Sequence, residues 1–222
     1  MQKALTLYET TIGKKAVMAI TGLVLFGFVI GHMLGNLQVY LGSEQLNGYA
    51  KHLKDLGPLL WVIRLFLATM FVIHIVAAVQ LWIPTFGARG LGYRRKKDVA
   101  TGYAARTMWL SGPLLFLFVL YHLAHFTFPG VAMSDGYGYS HSDVYANVIN
   151  GFSIPWVTAS YVAAQLVLGF HLYHGAWSLL QTLGFNHPQY HDQARFGAQF
   201  ITAMVVVGNI SIPLAVLAGL VR

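Results

Sequence analysis

Residues 16–37 read AVMAITGLVLFGFVIGHMLGNL. The stretch contains no Asp, Glu, Lys or Arg, and its one ionisable side chain is His32. Roughly 20 helical residues cross a hydrocarbon core of about 30 Å, so the run is long enough to span a membrane. Within lipid only a helix or a closed barrel satisfies every backbone polar group, and an unbroken apolar run of this length reads as a helix. Four more such runs follow, at 58–83, 108–128, 155–183 and 196–221. Pro58 and Pro155 open their runs, where a missing N–H costs little, while Pro84 and Pro129 are expected to close theirs. The expected fold is an all-α membrane protein, five transmembrane helices in one bundle over residues 1–222. Between the runs, a short polar loop is expected around 43–57, a basic loop at 85–107, a Gly/Ser/Tyr-rich loop at 130–153 and a His-containing turn around 184–195.

Composition agrees with lipid as the solvent. Hydrophobic residues make up 56% of the chain and charged residues 9%, against about 25% charged in an ordinary soluble domain. The net charge of +7 comes from fourteen Lys and Arg against seven acids. The basic residues lie between apolar runs rather than in one patch, so no nucleic-acid partner is implied. There is no Cys, which excludes disulfides, thiolate metal sites and covalent c-type haem attachment in this chain. Residues 1–13 lack a cleavage-site pattern and are expected to be retained. Lys3, Lys14, Lys15, Arg89, Arg94, Arg95, Lys96, Lys97, Arg106 and Arg195 fall on one side of the expected membrane; Lys51, Lys54 and Arg222 fall on the other, with Arg64 just inside the second run. By the positive-inside rule the N-terminus is expected in the cytoplasm and the C-terminus outside. The Arg94 to Lys97 cluster is a topology signal, and with Lys14, Lys15 and Arg106 it also suits a partner subunit or anionic membrane lipid.

The histidines carry the functional information. Ten are present, and an ionisable group at membrane depth is costly and usually functional. His32, His74, His122, His125, His171 and His174 lie in the apolar runs. At about 1.5 Å per helical residue, His32 and His122 approach the outer edge, because the first and third runs point outward. His74 and His171 approach the inner edge, because the second and fourth point inward. Two imidazoles at one depth on different helices are what a six-coordinate haem iron takes as axial ligands. Two tiers, separated by something like 15 to 20 Å on the helical rise, make two stacked haems. Gly31, Gly35, Gly169 and Gly175 near these histidines would admit a flat macrocycle or a neighbouring helix. His125 and His174 repeat an H-x-x-H spacing that turns them off the first imidazole, and they are read either as contacts to a ligand histidine, a propionate or a quinone, or as plain interfacial histidines.

These residues sit in a wider pattern. Residues 11–42, TIGKKAVMAITGLVLFGFVIGHMLGNLQVYLG, followed by Asn47-Gly-Tyr-Ala, closely resemble the opening of the cytochrome b558 subunits of bacterial succinate dehydrogenases and fumarate reductases. FVIHI at His74, LYHLAHF at His122 and GFHLYHGAWSL at His171 fall where that family places its other ligands. The resemblance implies a di-haem membrane anchor in the bacterial cytoplasmic membrane, with His74 and His171 on the proximal haem b and His32 and His122 on the distal one. It also implies a flavoprotein partner carrying FAD, an iron–sulfur partner carrying the clusters, a quinone (menaquinone or ubiquinone) as electron partner, and room for a higher oligomer. Some relatives use a buried acid for proton transfer; the first four runs here lack one, leaving Asp55 or Glu44 at the rim. For a quinone near the distal pair the polar groups at that level are Asn36, Gln38, Tyr40, Arg64 and His125, while Arg64 also reads as a propionate contact or as snorkelling to headgroups. A second quinone site near the proximal pair is the alternative placement.

Rival readings differ in their histidine pattern. A membrane di-iron oxygenase needs clustered H-x-x-H-H boxes, which this chain lacks. The nitrate reductase cytochrome subunit places two histidines on each of two helices rather than one on each of four. A haem-free anchor or transporter with histidines lining a proton path is the alternative from another class.

Overall fold

The computed structural model describes residues 7–87, 102–128, 138–185 and 187–222. Every regular element among them is helical: α1 (Thr11–Asn36), α2 (Ser43–Asp55), α3 (Pro58–Gly87), α4 (Tyr103–Arg106), α5 (Met108–Phe126), α6 (Val144–Phe152), α7 (Pro155–Thr182) and α8 (His191–Leu217), with short 3-10 turns before α1, after α1 and before α8. Four helices, α1, α3, α5 and α8, are each long and apolar enough to cross a membrane. The fifth candidate is α7, which qualifies together with α6, bent 96° from it. The chain therefore has the build of a multi-pass membrane protein. Its outer surface is apolar, with Trp61, Leu65, Leu117 and Val207 all exposed, as lipid-facing helices require.

The boundaries depart from the sequence expectation in ways with clear causes. Helix α1 starts at Thr11 rather than 16, because the Thr10 hydroxyl accepts from Gly13 N–H at 3.0 Å and caps the first turn. Pro84 does not close its helix; α3 continues through it to Gly87, since a proline this close to the end removes little of the hydrogen-bond ladder. The stretch expected as a polar loop at 43–57 is the helix α2, whose Leu46, Tyr49 and Leu53 share a face and whose Leu46 is buried. The 130–153 loop contains α6, and the turn at 184–195 gives way to α8 at His191. The last helix ends at Leu217 rather than 221. Pro129 and the basic residues Lys3, Arg89, Arg94, Arg95, Lys96 and Lys97 lie outside the described residues.

Helix α1 packs on α3 and α7, and α5 packs on α7. Phe71 of α3 meets Phe116 of α5 with ring centres 6.3 Å apart. These contacts close a ring of four helices in which α1 faces α5 and α3 faces α7 across the middle. Helix α8 lies outside this ring, against α7 and α1. Gly169 is part of that seam: a Cβ there would come within 2.9 Å of Val206.

The two ends of the bundle differ. At one, α2 and α6 fold over the helix ends, and Val39, Leu46, Phe152, Val157, Tyr161, Ile212 and Val216 form the buried core. Asn47 fastens the two small helices together. Its amide donates to Asp143 Oδ1 at 2.9 Å, and its carbonyl oxygen accepts from Tyr145 N–H at 2.9 Å. Asp143 in turn caps α6 by accepting from Ala146 N–H, and these bonds hold its carboxyl below the ordinary value of 3.8. Tyr49 packs on Gly35, where a Cβ would lie 2.6 Å from the phenol oxygen. Gly35 thus serves a side chain of this cap. At the other end Tyr8 donates to Gln80 and Arg195 donates to Tyr173.

Candidate functional site

Four histidines, one from each helix of the ring, meet in two pairs. His32 of α1 lies beside His122 of α5, ring centres 5.7 Å apart. His74 of α3 lies beside His171 of α7, at 6.4 Å. One pair spans one diagonal of the four-helix ring and the second pair spans the other. The His32 pair lies toward the α2/α6 end and is called the first tier; the His74 pair is the second.

Two contacts measure the spacing of the tiers. Thr21 Oγ1 of α1 hydrogen-bonds His74 Nδ1 at 3.1 Å, and Ser111 Oγ of α5 hydrogen-bonds His171 Nδ1 at 3.2 Å. His32 follows Thr21 by eleven residues, and His122 follows Ser111 by eleven. Both intervals correspond to about 16 Å of helix. The two rulers stand on different helices and agree.

The Thr21 hydroxyl also fixes which nitrogen of His74 carries the proton. Thr21 donates its proton to the carbonyls of its own helix, Val17 at 2.9 Å and Met18 at 3.2 Å. A hydroxyl has one proton, so toward His74 the oxygen is an acceptor and Nδ1 is the donor. The Met18 carbonyl is a further partner of His74, and a carbonyl can only accept. His74 therefore carries its proton on Nδ1 and leaves Nε2 with a lone pair. Ser111 Oγ likewise reaches a carbonyl of its own helix, Met108 at 3.3 Å, beside its contact with His171 Nδ1 at 3.2 Å. Gly22 completes the contact: a Cβ there would sit 3.3 Å from His74 Cε1.

The first tier is held differently. His122 Nδ1 lies 3.2 Å from the Tyr161 hydroxyl, which lies 2.7 Å from His125 Nδ1. His32 stacks on Phe28, ring centres 5.4 Å apart, and is itself exposed within this chain.

These pairs fit a metal held by two imidazoles. With a metal–nitrogen bond of about 2 Å and a ring centre about 1.1 Å behind the nitrogen, two axial imidazoles have centres about 6 Å apart. The observed separations of 5.7 and 6.4 Å bracket that figure. Among the described residues no three of His, Asp or Glu converge as a metal-holding group. A haem iron takes two axial ligands. Next to His32, a Cβ on Gly31 would meet nothing within 4 Å, and the same holds for Gly175 beside His174. Space is open at those two glycines, whereas Gly35 and Gly169 are used by protein packing.

No protein-family model, curated protein or solved structure matches this chain. The remaining expected site residues are placed as follows. His125 is buried at 2% exposure behind Phe126, Phe152 and Tyr161, so it lines no open cleft. His174 Nε2 bonds Ser178 Oγ one turn along its own helix at 3.2 Å. Arg64 is exposed, with its guanidinium over the Trp61 ring at 5.1 Å, an interfacial arrangement. Gln38 accepts from Gln45 at 3.0 Å, and Asn36 is half-buried at the end of α1. Tyr40 lines an apolar groove of about 460 Å³ with Ser211, Leu214, Ala215, Ala218, Leu220 and Val221.

Thr21, Ser111 and Tyr161 did not stand out from composition or depth. A repeat in the sequence marks two of them: Thr21-Gly22 and Ser111-Gly112 each precede a histidine by the same interval.

Proposed function

We propose that the chain is the membrane anchor of a succinate:quinone oxidoreductase, a cytochrome b holding two haem b groups and passing electrons between an iron–sulfur partner and membrane quinone. The crossed histidine pairs carry this reading: four helices contribute one imidazole each, in two tiers, at the separation that two axial ligands require. Haem, when bound, supplies one-electron chemistry. The chain's own part is to present Nε2 of each histidine and to hold each ring. Thr21 and Ser111 do so for His74 and His171, and Tyr161 does so for His122.

The resemblance of residues 11–50 to cytochrome b558 subunits supplies the rest of the proposal: the flavoprotein partner with its FAD, the iron–sulfur partner, and the bacterial cytoplasmic membrane. Lys14, Lys15, Arg106 and Arg195 sit at the end opposite α2 and α6, while Lys51, Lys54 and Arg222 sit at the capped end. The positive-inside rule then turns the first end to the cytoplasm and the capped end outward. His74 and His171 would then hold the haem nearer a cytoplasmic iron–sulfur subunit, and His32 and His122 the haem nearer the outer face. A quinone site suits the groove beside Tyr40, which is mostly apolar and is lined by Tyr40 and Ser211 as its polar side chains. Replacing Tyr40 with Phe is expected to raise the apparent KM for quinone with haem spectra intact; an unchanged KM removes the site from that groove.

The assignment is tested by affinity purification of the tagged chain from its native membranes. Two partner subunits, covalent or bound flavin and succinate-dependent reduction of b-type bands are expected. A purified chain with b-type bands that succinate leaves oxidised would retain the cytochrome and remove the succinate assignment.

A further inference from the structure

The phenol of Tyr161 stands between two imidazoles, 2.7 Å from His125 Nδ1 and 3.2 Å from His122 Nδ1. Tyr161 is 5% exposed and His125 2%, so water competes weakly for these bonds. A phenol has one proton to donate and lone pairs with which to accept; it cannot donate to both rings. Bonds donated by O–H run shorter than those donated by N–H, so the short contact assigns the phenol proton to His125. The oxygen is then left to accept from His122 Nδ1–H, and His122 presents a bare Nε2.

The second tier shows why a third group is needed. Thr21 is short enough to give its proton to carbonyls of its own helix, which makes it an acceptor toward His74 with no outside help, and Ser111 reaches the Met108 carbonyl in the same way. A tyrosine hydroxyl stands too far from its own backbone to do this. Something else must take its proton, and His125 is the group in place.

We infer that Tyr161 is a positioning residue for His122, and that buried His125 sets the direction of the Tyr161 hydrogen bond so that His122 keeps its proton on Nδ1. The inference rests on the haem reading above, in which His122 binds iron through Nε2. It gives His125 a task other than touching quinone or a propionate.

The test uses full-length protein in its native membranes, as wild type, Tyr161→Phe, His125→Leu and the double variant. The readouts are haem content per protein and the electron paramagnetic resonance signals of the low-spin ferric centres, with the second-tier signal as internal control. Tyr161→Phe is expected to shift one signal and weaken retention of that haem by about tenfold, the usual scale for a group supporting a metal ligand. In His125→Leu the phenol proton has His122 Nδ1 as its remaining acceptor, so this variant should be worse than Tyr161→Phe. The double variant should recover to the Tyr161→Phe level. A packing role alone would leave the double variant no better than its worse parent, and that result would overturn the inference. So would a Tyr161→Phe protein with both signals unchanged, or loss of both signals together. A wild type without haem would overturn the proposed function and this inference with it; two haems in wild type with unmoved variants would overturn this inference alone.

Discussion

The two histidine tiers are built from the same residue on the two diagonals of one four-helix ring, α1 with α5 and α3 with α7, yet they are held by opposite means. In the second tier each imidazole bonds a small hydroxyl that also reaches a carbonyl of its own helix. Its polarity is set locally. In the first tier His122 bonds a phenol shared with a second, buried imidazole, and His32 is held by ring stacking. Its polarity depends on a three-residue chain and on the aromatic cluster beneath α6. Two sites of like geometry therefore differ in how many residues must be right for each to work, and substitutions should expose the difference.

The largest expected effect is loss of one tier at a time. His171→Ala should abolish one haem signal and leave the other, and His122→Ala should do the reverse. Variants that each retain both signals would break the pairing. Thr21→Val and Ser111→Ala come next. Each leaves its histidine in place but removes the hydroxyl it bonds, and each should weaken the second-tier haem by about ten- to a hundredfold without moving the first-tier signal. An effect on both tiers would show that the tiers are not independently supported.

Smaller effects belong to the cap over the first tier. Gly35→Ala drives a methyl into the Tyr49 phenol and should destabilise that end by about 1–3 kcal/mol, the usual cost of overpacking, read as a lower unfolding temperature. The smallest effect is a pH dependence. The Asp143 carboxyl titrates below its ordinary value of 3.8 because it accepts from Ala146 N–H and from Asn47. A depressed folded pKa gives a contribution that is full above 3.8 and is lost as the pH falls through the lowered value. Asp143→Asn keeps a capping oxygen and should flatten the thermal stability of the cap across that acid range. A wild type with no loss there would separate the Asp143 clasp from the stability of the cap.

Much of this architecture was legible in the sequence because lipid imposes it. The long apolar runs match helices since a shorter or more polar segment does not span. The histidine pairs expected from depth are the ones found adjacent, because alternating helix direction turns a position along the chain into a height. What escaped notice lies where water or another side chain replaces lipid as the constraint. Helix α2 is polar on one face and reads as a loop unless its Leu46, Tyr49 and Leu53 are counted at helical spacing. Thr21 and Ser111 look like ordinary helix hydroxyls bonded to their own backbone, which they also are. Gly35 and Gly169 resemble room for a macrocycle, but only the neighbours Tyr49 and Val206 reveal what occupies the space. His125 resembles a polar group near a ligand, and its burial behind Phe126, Phe152 and Tyr161 depends on α6, which the sequence did not announce.

The central claim is that four transmembrane histidines hold two haems. It is tested most directly by a reduced-minus-oxidised absorption spectrum of membranes containing the chain, recorded through a stepwise redox titration. The account predicts low-spin b-type bands that titrate as two one-electron components, with one component missing from a His74→Ala protein. Membranes rich in the intact chain but without b-type bands, or with a single component that survives His74→Ala unchanged, would contradict it.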